Sequence, residues 1–552
     1  MRDSAIRLPP TADDELTPRS EGLMLAVDPG LSPAAATRAA RRAVATALPG
    51  EWVVERLPRS GGVYQALRRR PSLQPLVRQV WEFARRLDTH PDVIWAEAAV
   101  IQPGHDPDPA RVGRRGPSSG AGARPLPCSA DSEWSLTNAR LVEAFALIDG
   151  PPGGGIRVAH PDTGYTPHPE IRHPERLAVG LGYDFEADRR DPRDPLRGRN
   201  PGHGTATASV IMSAIGDDGG EEGGNEEADG IAVSGSAPAA TLVPLRVSSG
   251  VVHFSFRRLA LAIDHAIGID ADVISMSLGG PFASRSLEQM LDAAAAGGII
   301  SLAAAGNIWP WVVHPARSSR VIAVAASNCR DAVWRYSAAG GDVDLAAPGQ
   351  DVWRALAAPG GRYSDARGSG TSYAVATVAG AAALWLSRHG RDRLRRRYPG
   401  AALPGVFRDI LTGAGVRRPD GWDTGRHGAG LLDAVALLEA ALPRRGPSAV
   451  RPEPAAGTDL NHWREFSRYF PDLDEASVRQ ALARLTEGGG EDPEPFLARF
   501  GDELRFHLAT SPAFRAMLMR RGPRSARRPP AAVSAHLTRY ASRELRATLQ
   551  NM

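Results

Sequence analysis

Three short motifs place a serine, a histidine and an aspartate where each could take part in catalysis. Ser372 closes a Gly-Thr-Ser sequence directly before an apolar helical run, so its hydroxyl can stand at the positive end of a helix dipole. His203 is flanked by two glycines, and Asp162 opens an Asp-Thr-Gly sequence after a strand-like stretch. A serine hydroxyl needs a histidine to take its proton, and that histidine needs an acid to orient it. The three residues therefore predict a triad that attacks a carbonyl group.

A fourth motif supplies a group that can stabilise negative charge. Asn307 ends an Ala-Ala-Ala-Gly-Asn sequence that follows the buried-looking strand Ile299–Leu302. Its amide N–H, together with the backbone N–H of Ser372, is predicted to hold the oxyanion of a tetrahedral intermediate. Loss of one such donor typically lowers the rate by about 10²–10³-fold.

The order of these residues along the chain resembles that of a known family. Aspartate, histidine, asparagine and serine follow one another as in the subtilases, the subtilisin-like family of serine peptidases. The resemblance covers about Trp134 to Leu442. Further motifs carry it, at positions 277–280, 314–316, 321–324, 346–349 and 428–434. It implies an α/β fold: a doubly wound, mostly parallel sheet flanked by helices.

The resemblance also implies an activity. The chain is expected to be a serine endopeptidase that forms an acyl-enzyme, with protein or peptide substrates, water as co-substrate and no organic cofactor. Backbone groups of Ser277, Leu278 and Gly279 are expected to bind an extended substrate. Two alternatives stay open: an inactive module that only binds peptides, and an esterase or acyl transferase on the same scaffold.

The chain departs from the family pattern at several points. His160 and Pro161 stand before Asp162 where the family has apolar residues, so the strand end is expected to be kinked or less buried. The histidine motif continues through Thr207 instead of the usual His-Val-Ala. Trp309 and Trp311 lie in a segment that shapes the pocket for the residue before the cut, so cleavage specificity does not follow from the resemblance.

Composition shifts divide the 552 residues into six regions. Residues 1–21 are a polar N-terminus, and residues 22–103 show an α+β pattern that resembles the inhibitory propeptide of subtilases. Residues 134–444 are the peptidase-like domain, between linkers at 104–133 and 445–458 that are rich in Pro, Gly, Ala or Arg. Residues 459–552 are mainly helical and could bind a protein partner.

Charge and polarity exclude some classes of partner. The balance of 66 basic against 62 acidic residues does not call for nucleic acid, and the arginine-rich stretch 520–530 is typical of a solvated loop. The apolar run Ala374–Leu386 is too short to span a bilayer. No signal-like apolar core precedes Ser20, and Cys128 and Cys329 are not expected to pair. Cytoplasmic location is the default expectation, and a non-standard export route stays open.

No metal site is assigned from the sequence. The acidic insertion Gly216–Gly230 could coordinate calcium, but its glycines and lack of ligand order favour a solvated loop. His168 and His173 have no partners at zinc spacing. Three carboxylates before His203 are expected at the surface, at positions 188, 191 and 194.

Overall fold

The computed structural model describes residues 18–70, 75–101, 125–215, 233–358, 360, 362–444, 446, 466, 467, 469, 479, 494–518 and 530–550. The acidic insertion 216–230, most of both predicted linkers and residues 520–529 of the arginine-rich stretch lie outside them. The described elements form three groups. We call them the N-terminal body (residues 19–101), the central body (125–444) and the C-terminal helices (494–550).

The N-terminal body is an antiparallel sheet with two helices. Its strand order is β2-β3-β1-β4. The elements are β1 Arg19–Ala26, α1 Pro33–Ala47, β2 Trp52–Arg56, β3 Val63–Arg68, α2 Val77–Asp88 and β4 Trp95–Ile101.

Side chains of β1 alternate between the two faces of this sheet, and both faces are packed. Leu23 and Leu25 pack with α1 and α2, whereas Met24 and Ala26 pack against the central body. Side chains of a strand point alternately to opposite faces, so the sheet lies between its own helices and the central body. Proline at the first helical position and the side chain of Ser32, which accepts from the Ala35 amide, begin α1.

The central body contains a nine-stranded sheet in the order β14-β15-β11-β10-β9-β8-β5-β7-β6. All neighbouring pairs are parallel except β14 with β15. This confirms the expected mostly parallel fold. The strands are β5 Arg157–Asp162, β6 Tyr183–Asp184, β7 Thr241–Arg246, β8 Val273–Met276, β9 Ile300–Ala304, β10 Val321–Ser327, β11 Leu345–Pro348, β14 Val416–Arg417 and β15 Leu431–Leu432.

Helices cover this sheet, and an antiparallel pair, β12 Val352–Ala358 with β13 Arg362–Gly368, packs beside it. The middle strands β8, β9 and β10 are buried at every residue and are mostly apolar, because helices cover both faces of the sheet. The helices are α3 Trp134–Asn138, α4 Leu141–Phe145, α5 His203–Met212, α6 Arg257–Gly268, α7 Arg285–Ala296, α8 Thr371–His389, α9 Arg391–Arg397, α10 Ala402–Gly413, α11 Thr424–His427 and α12 Ala434–Glu439.

Helix α8 runs through the centre of this body. It is buried from Thr371 to Leu386, so the apolar run in the sequence is a core helix. Small alanines allow the helix to lie close to the strands of the sheet and to α5. Within the described residues, no helix combines the length and the apolarity that crossing a membrane would require.

The two cysteines are joined, which corrects the expectation that they would not pair. Cys128 and Cys329 form a disulfide with their Cα atoms 6.0 Å apart. Their separation of 201 residues hid this contact from a reading of local sequence. The disulfide ties the start of the central body to the turn after β10.

The C-terminal helices pack mainly on the N-terminal body. Their apolar residues belong to the same buried cluster as those of α1 and α2. The helices are α13 Glu494–Thr510, α14 Pro512–Leu518, α15 Ala531–Tyr540 and α16 Arg543–Gln550.

Candidate active site

The candidate catalytic residues gather at one edge of the parallel sheet. Strands β5 and β8 are neighbours, with Ala159 opposite Ile274. Continued along both chains, this register sets Asp162 beside Ser277, at the carboxyl ends of adjacent strands that lie about 4.8 Å apart. Open α/β sheets place their active sites at this edge.

Asp162 and His203 are in direct contact. Nδ1 of His203 donates to Oδ1 of Asp162 at 2.8 Å, and the Thr163 amide donates to the same oxygen at 2.7 Å. Burial alone would raise the pKa of Asp162, but the charge of His203 and its hydrogen bond outweigh burial, so the pKa lies below its ordinary value. The carboxylate therefore stays ionised and fixes the imidazole with Nε2 free for a proton.

The expected kink before Asp162 is absent. β5 pairs with β7 residue by residue through Asp162, and Pro161 lies opposite Leu245. His160 and Asp162 are each only 1% exposed. The expectation was wrong because buried polar partners on α5 accommodate His160 within a regular strand.

The glycines on both sides of His203 are required by close backbone contacts. Gly202 has φ 73°, and a Cβ atom there would lie 2.5 Å from the carbonyl oxygen of Ala357. A Cβ atom on Gly204 would lie 2.0 Å from the carbonyl oxygen of Gly164. The Asp-Thr-Gly and His-Gly-Thr loops thus pack backbone against backbone, which brings the aspartate and the histidine together.

Ser372 is the second residue of α8 and is attached to the strand beside Asp162. Its Oγ donates to the carbonyl oxygen of Ser277 at 3.3 Å, and Ser277 Oγ donates to the carbonyl oxygen of Ser372 at 3.0 Å. Among the described residues, no hydrogen bond joins Ser372 Oγ to His203. The structure therefore brings Asp162 and His203 into contact, and holds Ser372 at the same sheet edge with its hydroxyl turned to Ser277.

Asn307 lies at the first turn of α8. Its Oδ1 accepts from the Thr371 amide at 2.9 Å and from Thr371 Oγ1 at 2.8 Å. This fixes the side-chain oxygen and leaves the Nδ2 donors for another acceptor. The Ser372 N–H belongs to the first turn of the helix, where backbone donors lack intrahelical partners. The two donors fit the predicted oxyanion role.

A cleft opens beside Ser372. Apart from the catalytic groups, its walls are mostly apolar and are contributed by Val251, Val252, Leu278, Ala304, Ile308, Trp309 and Val313. Ser277, Leu278 and Gly279 also line it.

The backbone groups of Gly279 are hydrogen-bonded within the protein. Its N–H donates to the carbonyl oxygen of Val251 at 2.9 Å, and its carbonyl oxygen accepts from the His253 amide at 2.8 Å. Both groups that a substrate strand would use are thus bonded within the protein. The contact involves residues far apart in the chain, so sequence spacing did not indicate it.

One carboxylate expected at the surface is instead buried beside the triad. Asp194 is 7% exposed. It accepts from Thr163 Oγ1 at 2.7 Å and from the Gly202 amide at 2.8 Å. Thr163 Oγ1 accepts in turn from the Gly204 amide at 3.0 Å. Asp194 therefore ties the two catalytic loops together, a role that sequence reasoning missed.

Asp188 and Asp191 do lie at the surface, where they bond to Tyr183 and to the Arg193 amide. His168 is buried and bonds to backbone groups of Glu170 and Ser364. Burial, first of all, lowers its pKa to about 4. In the described part of the chain, no group of three or more His, Cys, Asp or Glu side chains is arranged to hold a metal ion.

Comparison with known proteins agrees with this geometry. The model of the "Subtilase family" matches residues 153–401. Subtilisin of Bacillus pumilus is 34% identical over 266 residues, which cover 46% of this chain and 87% of that protein. The chain belongs to the subtilase family. All the candidate catalytic residues lie within the matched region.

Two other comparisons define how far the likeness reaches. Subtilisin E of Bacillus subtilis (strain 168) is also 34% identical over 266 residues. The matched residues cover 46% of this chain and only 63% of the length of subtilisin E. The crystal structure of MycP1 with the N-terminal propeptide removed aligns with a TM-score of 0.43 at 24% identity. It covers 56% of this chain and 98% of its own. That score is too low to support a functional argument.

Proposed function

We propose that this subtilase is a serine endopeptidase that works through an acyl-enzyme. His203 takes the proton of Ser372 as Oγ attacks the scissile carbonyl carbon. Asp162 stabilises the imidazolium, while Asn307 Nδ2 and the Ser372 N–H bind the oxyanion. His203 then passes its proton to the leaving amine, and water repeats the two steps to release the acid.

The contact between Asp162 and His203 is the observation that carries this proposal. A buried carboxylate on one side of an imidazole, with a helix-start serine at the same sheet edge, is an arrangement for general-base catalysis. Rotation of Ser372 about its Cα–Cβ bond would break the hydrogen bond between Oγ and the carbonyl oxygen of Ser277.

The pocket beside Ser372 suggests which residue precedes the cut. Because its walls are mostly apolar, a medium or large apolar side chain fits it best. An extended substrate would bind along Ser277 and Leu278. For this strand to reach Gly279, the pairing of Gly279 with Val251 and His253 would have to open.

The N-terminal body is proposed to be the inhibitory propeptide. Glu97 of β4 reaches the start of α7, where the Arg285 amide and Ser284 Oγ each donate to it at 2.8 Å. The carboxyl group of Glu97 thus accepts from a backbone amide that lacks an intrahelical partner. Further polar contacts between the two bodies include the ion pair of Arg258 with Glu21 and the bond from the Arg59 amide to Asp264, the latter at 2.7 Å.

The disulfide bears on where the protein matures. Disulfides persist in oxidising compartments and are rare in the cytosol. Because Cys128 and Cys329 are paired, we propose maturation in an oxidising compartment instead of the cytoplasm that the sequence suggested by default.

Matched substrates test the activity. A peptide amide and the corresponding ester are offered to the purified chain and to Ser372→Ala. The proposal expects turnover of both substrates by the unsubstituted chain and loss of both in the variant, by up to about 10⁶-fold. Turnover of the ester alone would support an esterase, and turnover of neither by the processed protein would support a module that only binds peptides.

A further inference from the structure

Thr207 and His160 lie near Oδ2 of Asp162, the carboxylate oxygen that does not bond to His203. Thr207 Oγ1 lies 3.3 Å from Oδ2 of Asp162 and 3.0 Å from Nε2 of His160. His160 Nε2 itself is 3.9 Å from Oδ2, so the threonine stands between them. The side chains of His160 and Asp162 are 1% and 0% exposed.

Burial of the polar side chains of His160 and Thr207 costs free energy unless they form hydrogen bonds, as they do with each other. They also stand where the family pattern is apolar, one on β5 and one on α5. Burial, first of all, lowers the pKa of His160, although the charge of Asp162 acts against burial and His203 acts with it. The imidazole of His160 is therefore neutral. Asp162 and His203 are the charged or titratable groups that shift its pKa.

The direction of the hydrogen bonds follows from the charge of Asp162. A neutral His160 that donates from Nε2 to Thr207 leaves the single threonine proton free for Oδ2 of the carboxylate. The opposite tautomer would turn an oxygen lone pair of Thr207 towards the negative carboxylate. The carbonyl oxygens of His203 and Gly204, 3.1 and 3.4 Å from Thr207 Oγ1, compete for the same proton, but both are uncharged.

We propose that Thr207 and His160 are positioning residues for the catalytic aspartate. They form a neutral relay that anchors Oδ2, keeps Oδ1 directed at His203 and draws part of the negative charge away from the imidazole. The inference rests on the proposed peptidase function. Without the relay, the more concentrated charge of Asp162 holds a proton on His203 to higher pH, and the less constrained carboxylate slows the reaction.

The test is the pH profile of fluorophosphonate labelling at Ser372. Thr207→Val removes the hydroxyl at nearly constant volume, Thr207→Ser keeps it, and Thr377→Val is a matched control. Thr377 is a buried helical threonine whose hydroxyl bonds to the Tyr373 carbonyl. We expect Thr207→Val to move the acid limb to higher pH by about 0.5 unit, with Thr207→Ser and Thr377→Val close to the unsubstituted profile.

The outcomes separate the relay from the activity. If Thr207→Val follows the same profile as Thr377→Val, the relay is refuted while the peptidase proposal stands. If the unsubstituted, processed chain is not labelled at all, the proposed function fails and the relay with it. Should Thr207→Val not fold, His160→Leu leaves α5 unaltered and is expected to shift the acid limb in the same direction.

A second, independent observation concerns the C-terminal helices. Arg85 of α2 donates to Glu503 of α13 at 2.8 Å and to Glu544 of α16 at 2.9 Å. Glu503 is only 1% exposed and also accepts from Ser542 Oγ at 2.9 Å. The Arg543 amide donates to Glu82 of α2 at 2.8 Å. These contacts join the last described residues of the chain to the N-terminal body.

Aromatic residues extend the same interface to the central body. Trp81 of α2 and Phe506 of α13 have ring centroids 5.7 Å apart. Both rings line a cleft that Phe282 of the central body also lines. Tyr469 contacts Trp311 of the central body at a centroid distance of 5.9 Å. Phe506 and Tyr469, both from the region 459–552, therefore contact the N-terminal body and the central body respectively.

We infer that the C-terminal helices are a clamp that retains the N-terminal body after the chain between it and the central body is cut. The cut would fall in the predicted linker 104–133, most of which lies outside the described residues. Removal of Arg85 takes away the guanidinium charge that faces buried Glu503 from α2 and leaves Glu503 with Ser542 and His507, both on the C-terminal helices or between them. Arg85→Ala is thus expected to weaken retention by about 100-fold or more.

The clamp is tested without any proteolytic activity. A recognition sequence for an added protease replaces part of residues 104–120 in the full chain carrying Ser372→Ala, and the cut protein is diluted and passed over a sizing column. Arg42→Ala is the matched control, since Arg42 forms an exposed ion pair with Asp92 inside the N-terminal body.

The clamp predicts that the fragment elutes with the rest of the protein in the parent and in Arg42→Ala, and that Arg85→Ala releases it. Equal release from all three proteins would overturn the clamp. Because Ser372 is absent throughout, this result is independent of the peptidase proposal.

Discussion

Ser277 and Ser372 are joined by two hydrogen bonds that run in opposite directions, from each side-chain hydroxyl to the other residue's carbonyl oxygen. The pair attaches the start of α8 to the end of β8. It also turns the hydroxyl of Ser372 towards a carbonyl oxygen. The same contact thus fixes the position of the nucleophile and holds its proton in a resting arrangement.

Asp162→Asn tests the role of the buried carboxylate. An amide can still bond to the Thr163 amide and to His203, but it favours the wrong imidazole tautomer and cannot stabilise the imidazolium. We expect kcat for peptide hydrolysis to fall by about 10⁴-fold. Asp188→Asn is the control, because Asp188 is an exposed carboxylate bonded to Tyr183. A comparable loss in both variants would contradict the assignment.

Asn307→Ala tests the oxyanion donor. Steady-state kinetics on a peptide amide are expected to show kcat lower by about 10²–10³-fold with KM little changed, because the lost bond forms only in the transition state. Thr371→Val removes one of the two bonds that hold Oδ1 of Asn307, and should have a smaller effect. A rise in KM at constant kcat would show that Asn307 binds substrate instead.

Docking of the N-terminal body is expected to depend on pH through Glu97. Burial raises the pKa of Glu97, in spite of hydrogen bonds from Ser286, Ser284 and the Arg285 amide, and the charge of Asp502 adds to the effect. An acid whose pKa is higher in the docked state binds a proton more readily there, so docking is strongest at low pH.

The release of the cut N-terminal body measures this dependence in the Ser372→Ala chain. Retention should weaken as pH rises from the ordinary range of a glutamate through the raised pKa of Glu97. Glu97→Gln should flatten this dependence, whereas Glu51→Gln, which removes an exposed carboxylate near Arg69, should leave it unchanged. A pH dependence that survives in Glu97→Gln would assign the effect to another group.

The disulfide is expected to stabilise the central body. It closes a loop of about 200 residues, and such links typically contribute about 2–4 kcal/mol. The double variant Cys128→Ser/Cys329→Ser should therefore unfold at lower temperature in a calorimetric scan. Titration of two free thiols in protein purified without reductant would show that the link does not form.

Local motifs were enough to predict the mostly parallel sheet and to single out Asp162 and His203, which are in contact. Gly202 and Gly204 mark a backbone contact that His203 needs, and the apolar strands mark a parallel sheet buried on both faces. These signals lie within a few residues of the groups that they position, so sequence alone reveals them.

Contacts between distant segments could not be predicted in this way. Asp194 looked like a surface carboxylate because its partners on the loops of Thr163 and Gly202 are brought to it only by folding. The pairing of Cys128 with Cys329 and the contact of Arg85 with Glu503 depend on the docking of separate elements. His160 was noticed as an anomaly, but its partner on α5 was not.

Identification of the residue that a fluorophosphonate modifies tests the central claim most directly. After processing, the labelled protein is digested and the adduct is located by mass spectrometry, with Asp162→Asn and Ser372→Ala treated in parallel. The account predicts an adduct on Ser372, formed much more slowly in Asp162→Asn and absent in Ser372→Ala. No adduct on Ser372 of the processed protein, or labelling at the same rate in Asp162→Asn, would contradict it.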